Sequence, residues 1–122
     1  MGKILIVDDK EMIREAYREL LLSESFEVLE AKNGEWACLQ LIQQKNVELV
    51  LLDIHMPLVN GQPLFSLIKS YAPKAKIIVM SVDSIENQKE VIQGSDDYFD
   101  KSEGIEALLS KVKKILAIEF VS

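Results

Sequence analysis

Cysteine is nearly absent from the 122 residues: Cys38 stands alone, which excludes an internal disulfide. No histidine or cysteine lies at metal-ligand spacing from it, so Cys38 is expected to be a small core residue on a helix, in a reducing compartment. Prolines number three and glycines five, without a cluster of either, and no linker or low-complexity segment divides the chain. Long apolar runs are missing as well. No aliphatic stretch approaches the length that crosses a bilayer, and the first residues lack a basic region followed by an apolar one. Positive charge is in deficit, with 14 Lys and Arg against 20 Asp and Glu and a net charge of −6. Such a field repels phosphate, which disfavours direct nucleic-acid binding and anionic membranes while leaving room for a local basic patch. The expectation is a soluble cytoplasmic protein.

What is present suits one globular domain over 1–122, with 48% hydrophobic and 28% charged residues. Ile4-Leu5-Ile6-Val7 is an unbroken aliphatic run, the pattern of a strand covered on both faces, and it stops at Asp8-Asp9. Met12, Ile13, Ala16, Tyr17, Leu20 and Leu21 then recur at helical spacing, with Arg14, Glu15, Arg18 and Glu19 on the other face. Phe26 to Ala31 partly alternates, as a strand nearer an edge does, and the turn pair Asn33-Gly34 ends it. Leu39 and Ile42, with Ala37 and Cys38, predict a short helix with Trp36 at its margin. Leu49-Val50-Leu51-Leu52 predicts a buried third strand that ends on Asp53, with Pro57 and Gly61 forbidding a simple continuation.

A helix is predicted from Leu64 to Tyr71 after Pro63, closed by Ala72-Pro73. The run Ile77-Ile78-Val79-Met80 is a fourth strand ending on Ser81, and Ile85 to Gln93 a weakly amphipathic helix that Gly94 terminates. Tyr98-Phe99 is a short fifth strand before Lys101. Ile105, Leu108, Leu109, Val112, Ile115 and Leu116 mark a strong last helix. Five alternations of strand and helix argue for a parallel sheet with helices on both faces, because parallel neighbours need crossovers. Ligands of such sheets bind beyond the carboxyl ends of the strands.

Polar residues fall at that edge five times: Asp8 and Asp9, Asp53, Ser81 and Lys101. Each has an ordinary role when taken alone. Asp8 and Asp9 could cap a helix, Asp53 and Ser81 could satisfy turn donors, Lys101 could be a solvated lysine, and His55 is a loop residue without a second histidine to join it. Together they form a site. Three carboxylates brought close repel one another, and a hard divalent cation relieves that repulsion through oxygen ligands. Mg2+ takes one or two carboxylates plus a phosphate and keeps several waters, so an incomplete acidic cage suits it. Lys101 offers a point charge and Ser81 a hydroxyl to phosphoryl oxygens, and a carboxylate can itself become an aspartyl phosphate. The chemistry indicated is phosphoryl transfer to Asp53.

These same residues carry a family resemblance. Ile4-Leu5-Ile6-Val7-Asp8-Asp9, Leu51-Leu52-Asp53-Ile54-His55-Met56-Pro57 with Gly61, Val79-Met80-Ser81, and Gly94-Ser95-Asp96-Asp97-Tyr98 leading to Lys101 resemble, in order, the motifs of the receiver domain of bacterial two-component response regulators. The match covers essentially the whole chain. It implies a doubly wound, flavodoxin-like α/β fold with strand order 2-1-3-4-5. It also implies that Asp53 accepts a phosphoryl group from a sensor histidine kinase or phosphotransfer protein. Asp9 matches a direct Mg2+ ligand, Asp8 one acting largely through water, and the His55 carbonyl a further ligand. Ser81 matches the switch hydroxyl, Lys101 the cation that pairs with the phosphoryl group, and Tyr98 the aromatic that changes rotamer with it. The domain is then a signalling module that assists its own phosphorylation and dephosphorylation, not an enzyme with a separate substrate.

Departures from the family pattern mark two places. Ser102 and Glu103 follow Lys101 where proline and an apolar residue are usual, and a cis Lys101-Ser102 bond would cost about 3 kcal/mol. A trans bond and a shifted Lys101 are therefore expected. Val82 stands where alanine is common and could restrict access, while His55 and Asp83 occupy positions that tune the lifetime of the phosphoaspartate. The alternative function is a degenerate receiver-like docking module that binds partners without phosphorylation. No DNA-binding motif follows the last helix, so the output is expected from a downstream effector protein or from an output domain outside this sequence. By resemblance, the fourth helix, fifth strand and fifth helix form the surface that is read and that relatives use to form homodimers. Lys111, Lys113 and Lys114 offer a partner surface or a solvated face.

Overall fold

Buried aliphatic runs become the strands of a central sheet in the computed structural model, which describes residues 2–56 and 61–121. The order along the chain is β1 (Lys3–Val7), α1 (Glu11–Ser23), β2 (Glu27–Ala31), α2 (Gly34–Gln43), β3 (Val47–Asp53), α3 (Gly61–Tyr71), β4 (Lys76–Ser81), α4 (Ile85–Val91), β5 (Asp97–Asp100), a 3-10 turn (Lys101–Glu103) and α5 (Ile105–Val121). The sheet is parallel in the order β2-β1-β3-β4-β5, as expected. Pro57, singled out above, lies outside the described residues.

Strand side chains alternate between two cores. Leu5, Val7, Val50, Leu52, Ile77, Val79 and Tyr98 face α2, α3 and the end of α4, packing with Ala37, Leu41, Phe65, Ile68 and Ile92. Ile4, Ile6, Leu49, Leu51, Ile78, Met80 and Phe99 face the other way, against Tyr17 and Leu21 of α1 and Leu108, Val112 and Leu116 of α5. That division assigns every residue at the carboxyl edge to one face or the other.

Several local expectations change. Met12 is 83% exposed and Ala16 is exposed too, because the buried stripe of α1 runs through Ile13, Tyr17 and Leu21. Leu39 and Ile42 are exposed; Ala37 and Leu41, four residues apart on the other side of the helix, face the core. Cys38 is half-buried on the same helix. Asn33 is a helix cap and not half of a strand-ending turn: its side chain accepts the Trp36 N–H at 2.9 Å. Pro63 lies inside the first turn of α3, where its missing N–H has no intrahelical partner to lose. α4 stops at Val91, short of Gln93, and Gly94 follows with φ +85° in the left-handed region.

Candidate functional site

Register sets the depth of each residue at the carboxyl edge. Val7 is level with Leu52, so Asp8 stands beside Asp53; Asp53 is level with Met80, and Ser81, one step further out, is level with Asp100. Lys101 follows directly. By alternation Asp8, Asp53 and Lys101 continue the rows of Ile6, Leu51 and Phe99 on the α1–α5 face, whereas Ser81 and Tyr98 belong to the opposite face with Val79.

Contacts follow that division. Asp8 and Asp53 are fully buried, and the Lys101 ammonium donates to Asp8 Oδ2 at 2.7 Å and to Asp53 Oδ2 at 3.1 Å. The remaining oxygens accept backbone donors: Asp8 Oδ1 takes the Lys10 N–H at 2.9 Å and Asp53 Oδ1 the His55 N–H at 2.8 Å. Asp9 is more open and pairs with Lys10 at 3.6 Å. Neither Asp8 nor Asp9 caps α1, whose N-cap is Lys10 without a side-chain hydrogen bond. One carboxylate oxygen from each of Asp8, Asp9 and Asp53 lies within 4.8 Å of the others, a donor set of hard oxygens on one side of the sheet edge. Such a set fits Mg2+, which takes oxygen ligands and completes its shell with water.

The electrostatics are those of an anionic cage with the Lys101 ammonium between its two buried carboxylates. Burial pushes the Asp53 carboxyl above its ordinary value, against the pull of the His55 N–H and Lys101, and the charge of Asp8 adds to the rise. Burial draws the Lys101 ammonium down, but its hydrogen bond to Asp8 and the charges of Asp53 and Asp8 outweigh this and hold it above the usual lysine range. Tyr17 of α1 feels the same cluster: burial raises its phenol, Lys101 opposes, and Asp8 and Asp53 add to the rise.

Ser81 is fully buried but stands apart from this cage. Its hydroxyl accepts the Asp83 N–H at 3.1 Å and donates to Asp83 Oδ2 at 3.3 Å. Tyr98 is also buried; its hydroxyl donates to the Ile92 carbonyl at 2.7 Å and accepts the Ser95 N–H at 3.3 Å. The His55 side chain is exposed. No peptide bond among the described residues is cis, so Lys101-Ser102 is trans. Lys101 nevertheless reaches the carboxylates. Asp100 fixes the turn by accepting both the Ser102 N–H at 2.9 Å and its hydroxyl at 2.7 Å, and these two donors hold the Asp100 carboxyl below the usual range. A proline at 102 would offer neither donor.

Two supports escaped the sequence reading. Arg14 donates to the Asp8 carbonyl at 2.7 Å and to Glu30 at 3.3 Å, bracing the acidic loop from α1 and β2. Arg18 shares Glu30 at 2.9 Å. The spacing of Arg14 and Arg18 is visible in the sequence, but nothing there relates them to Glu30. Tyr17 reads only as core. Of the last-helix lysines, Lys111 pairs with Asp97 at 3.5 Å and Lys113 with Glu24 at 2.6 Å, so both tie α5 to its neighbours.

Known proteins are similar to this chain in sequence and in fold. The chain is 33% identical over 115 residues to a cyclic di-GMP phosphodiesterase of Thermotoga maritima, covering 93% of this chain and 30% of that protein. It is 33% identical over 118 residues to the transcriptional regulatory protein DegU of Brevibacillus brevis, covering 93% and 49%. The chain thus spans half or less of these relatives. Among solved structures, the response regulator TrrA of Thermotoga maritima in complex with Mg2+-BeF is 36% identical with a TM-score of 0.78, over 93% of this chain and 98% of that one. TrrA bound to the histidine kinase ThkA gives 37% and 0.78, over 95% and 99%. The profile of the response regulator receiver domain matches residues 4–113. With the acidic cage, the strand order and this match in agreement, the chain belongs to the response regulator receiver domain family.

Proposed function

We propose that Asp53 accepts a phosphoryl group from the histidine of a sensor kinase or phosphotransfer protein, and that the domain signals by the rearrangement that follows. One observation carries this reading: the buried Asp53 carboxylate shares its Lys101 ammonium with Asp8 and lies in a three-carboxylate oxygen cluster. TrrA supports it, having been solved both with Mg2+-BeF and with a histidine kinase.

In the step itself an Asp53 oxygen bonds to phosphorus as the phosphorus–nitrogen bond of phosphohistidine breaks, and the bonding pair stays on the imidazole nitrogen. The product is an acyl phosphate. Asp9 and Asp53, with the His55 carbonyl and Asp8 through water, are the groups that would hold Mg2+. Bound there, the ion neutralises charge on the transferring phosphoryl oxygens. Lys101 then pairs with the phosphoryl group, Ser81 donates its hydroxyl to it, and Tyr98 shifts on the far face, so that phosphorylation moves a population toward the signalling state. The domain over 1–122 acts as a signalling module and not as an enzyme with its own substrate, although a relative named as a phosphodiesterase matches it in sequence over 30% of that protein's length.

The partners are the kinase or phosphotransfer protein, then an effector protein, an attached output domain or a second copy docking on α4, β5 and α5. The net charge of −6 argues against direct nucleic-acid contact. Among the described residues no helix is long and apolar enough to cross a membrane, which is compatible with a cytoplasmic site of action. The degenerate docking module loses its motive once Lys101, despite Ser102, reaches both carboxylates. Intact-protein mass after incubation with a small-molecule phosphodonor and Mg2+ tests the proposal beside Asp53→Asn. A single Mg2+-dependent adduct absent from the mutant is expected; the same adduct on both proteins, or on neither, refutes Asp53 as the acceptor.

A further inference from the structure

Gln88 is a polar side chain that none of the chemistry above uses, yet it is 1% exposed. Its amide nitrogen donates to the Asp83 carbonyl at 3.0 Å and to the Phe99 carbonyl at 2.8 Å, while its Oε1 is buried with no partner among the described residues. Both amide hydrogens are spent on carbonyl oxygens, which fixes the orientation: the flipped amide would set Oε1 against two acceptors. Glutamate would do the same with a charge, and asparagine is one methylene short.

The two carbonyls are not arbitrary ones. Asp83 lies two residues after Ser81, and Phe99 lies two residues before Lys101. Gln88 therefore joins the loop that follows the hydroxyl to the strand that delivers the ammonium, and it does so from the middle of α4. A second tie, from the Tyr98 hydroxyl to the Ile92 carbonyl, fixes the end of α4 to the same strand.

The two arms differ in what holds them. Phe99 sits in β5, in register with Met80 of β4, and its carbonyl has little freedom. Asp83 is held by Ser81, whose hydroxyl both accepts its N–H and donates to its carboxylate. A Ser81 hydroxyl that turns to a phosphoryl oxygen must give up the donation to Asp83. The partnerless Oε1 offsets part of what the two donations contribute, since a buried acceptor without a donor is unfavourable.

We infer that Gln88 is the positioning residue that conveys the state of Ser81 to α4: phosphorylation releases its hydrogen bond to Asp83 and keeps the one to Phe99. The inference rests on the proposed phosphorylation of Asp53, and side-chain NMR separates the two. With Mg2+ and beryllofluoride added to the full chain, the Gln88 amide proton facing Asp83 is expected to shift and exchange faster, its partner to stay. In Gln88→Leu, signals of Asp53 to His55 should still respond to beryllofluoride while those of Ile85–Val91 lose at least half of their shift. Gln88→Met repeats the test should leucine perturb folding. An unmoved Gln88 amide beside a responding Asp53 and α4 overturns this inference alone. A full α4 response in both variants does the same. No response at Asp53 overturns the inference together with the reading beneath it.

Discussion

Replacing Lys101 by methionine removes an ammonium and keeps most of the side-chain volume. Its Nζ is 2.7 Å from Asp8 and 3.1 Å from Asp53; both carboxylates are fully buried and the lysine side chain is 11% exposed. Removing one partner of a buried pair costs about 3–5 kcal/mol, because the charge left behind is uncompensated. Here two charges are left, with oxygens within 4.8 Å. At an effective dielectric of about 20 their repulsion is on the order of 3 kcal/mol, no longer offset by the cation between them. The expectation in EDTA at neutral pH is therefore the upper end of the range, about 5 kcal/mol, or a fall in urea midpoint on the order of 2 M.

Protons and Mg2+ both relieve this cost. Burial already raises the Asp53 carboxyl, and loss of Lys101 raises it further. A group whose folded pKa lies above its unfolded one contributes stability at low pH that is lost as pH rises through the folded value. The Lys101→Met penalty thus grows from acid toward neutral pH. Mg2+ at a hundredfold excess over its Kd adds about 2.7 kcal/mol to a protein that binds it only when folded, and more to the mutant than to the parent if Lys101 competes for the same oxygens. Urea unfolding followed by far-ultraviolet circular dichroism, with EDTA or Mg2+ and across pH, measures all three. A penalty below about 1 kcal/mol in EDTA at neutral pH would refute the reasoning, as would one indifferent to both pH and Mg2+.

Arg14→Met removes a charged donor from the Asp8 carbonyl and should cost about 2 kcal/mol while weakening Mg2+ binding; unchanged urea midpoint and titration together would count against the bracing role. Asn33→Ala should cost about 1 kcal/mol through the lost Trp36 cap, and an unaltered midpoint would mean the cap contributes nothing. Burial pushes the Cys38 thiol above its ordinary value, so alkylation by iodoacetamide in mildly alkaline buffer should be slower in the folded chain than in urea and should need higher pH to reach its plateau. Coincident pH profiles for the two states would exclude that environment.

The strands and the site edge were legible for one shared reason. A strand buried on both faces must be apolar throughout, so the first polar residue after each run marks where the chain leaves the core. Asp8, Asp53 and Ser81 are such residues, and all three are fully buried at the sheet edge. Helix faces were harder. Met12 and Ala16 fit the same period as Ile13 and Tyr17, and only the position of α5 decides which edge of the stripe is covered. Leu39 and Ile42 misled because hydrophobicity outweighed phase: small Ala37 marks the closer approach to the sheet. Gln88 was illegible because its partners are backbone carbonyls, and Arg14 because one partner is a carbonyl and the other, Glu30, lies on a different element; no local side-chain pattern encodes either.

The division of the edge between two faces bears on how the switch must work. Lys101 serves Asp8 and Asp53 on the α1–α5 side, whereas Ser81 turns toward Asp83 on the other. A phosphoryl group on Asp53 adds negative charge to a cage that already holds three carboxylates. Lys101 must follow the new oxygens and loosen its hold on Asp8, which raises the demand for a cation beside Asp8 and Asp9. Mg2+ binding and phosphorylation should then favour one another, and by linkage the coupling is reciprocal. Ser81, meanwhile, reaches the same phosphoryl group only by leaving Asp83. An element bonded to the segments behind both residues is placed to register the event. Gln88 is bonded to the loop after Ser81 and to the strand before Lys101, so a Ser81 movement read at α4 is read against the fixed strand that carries the ammonium.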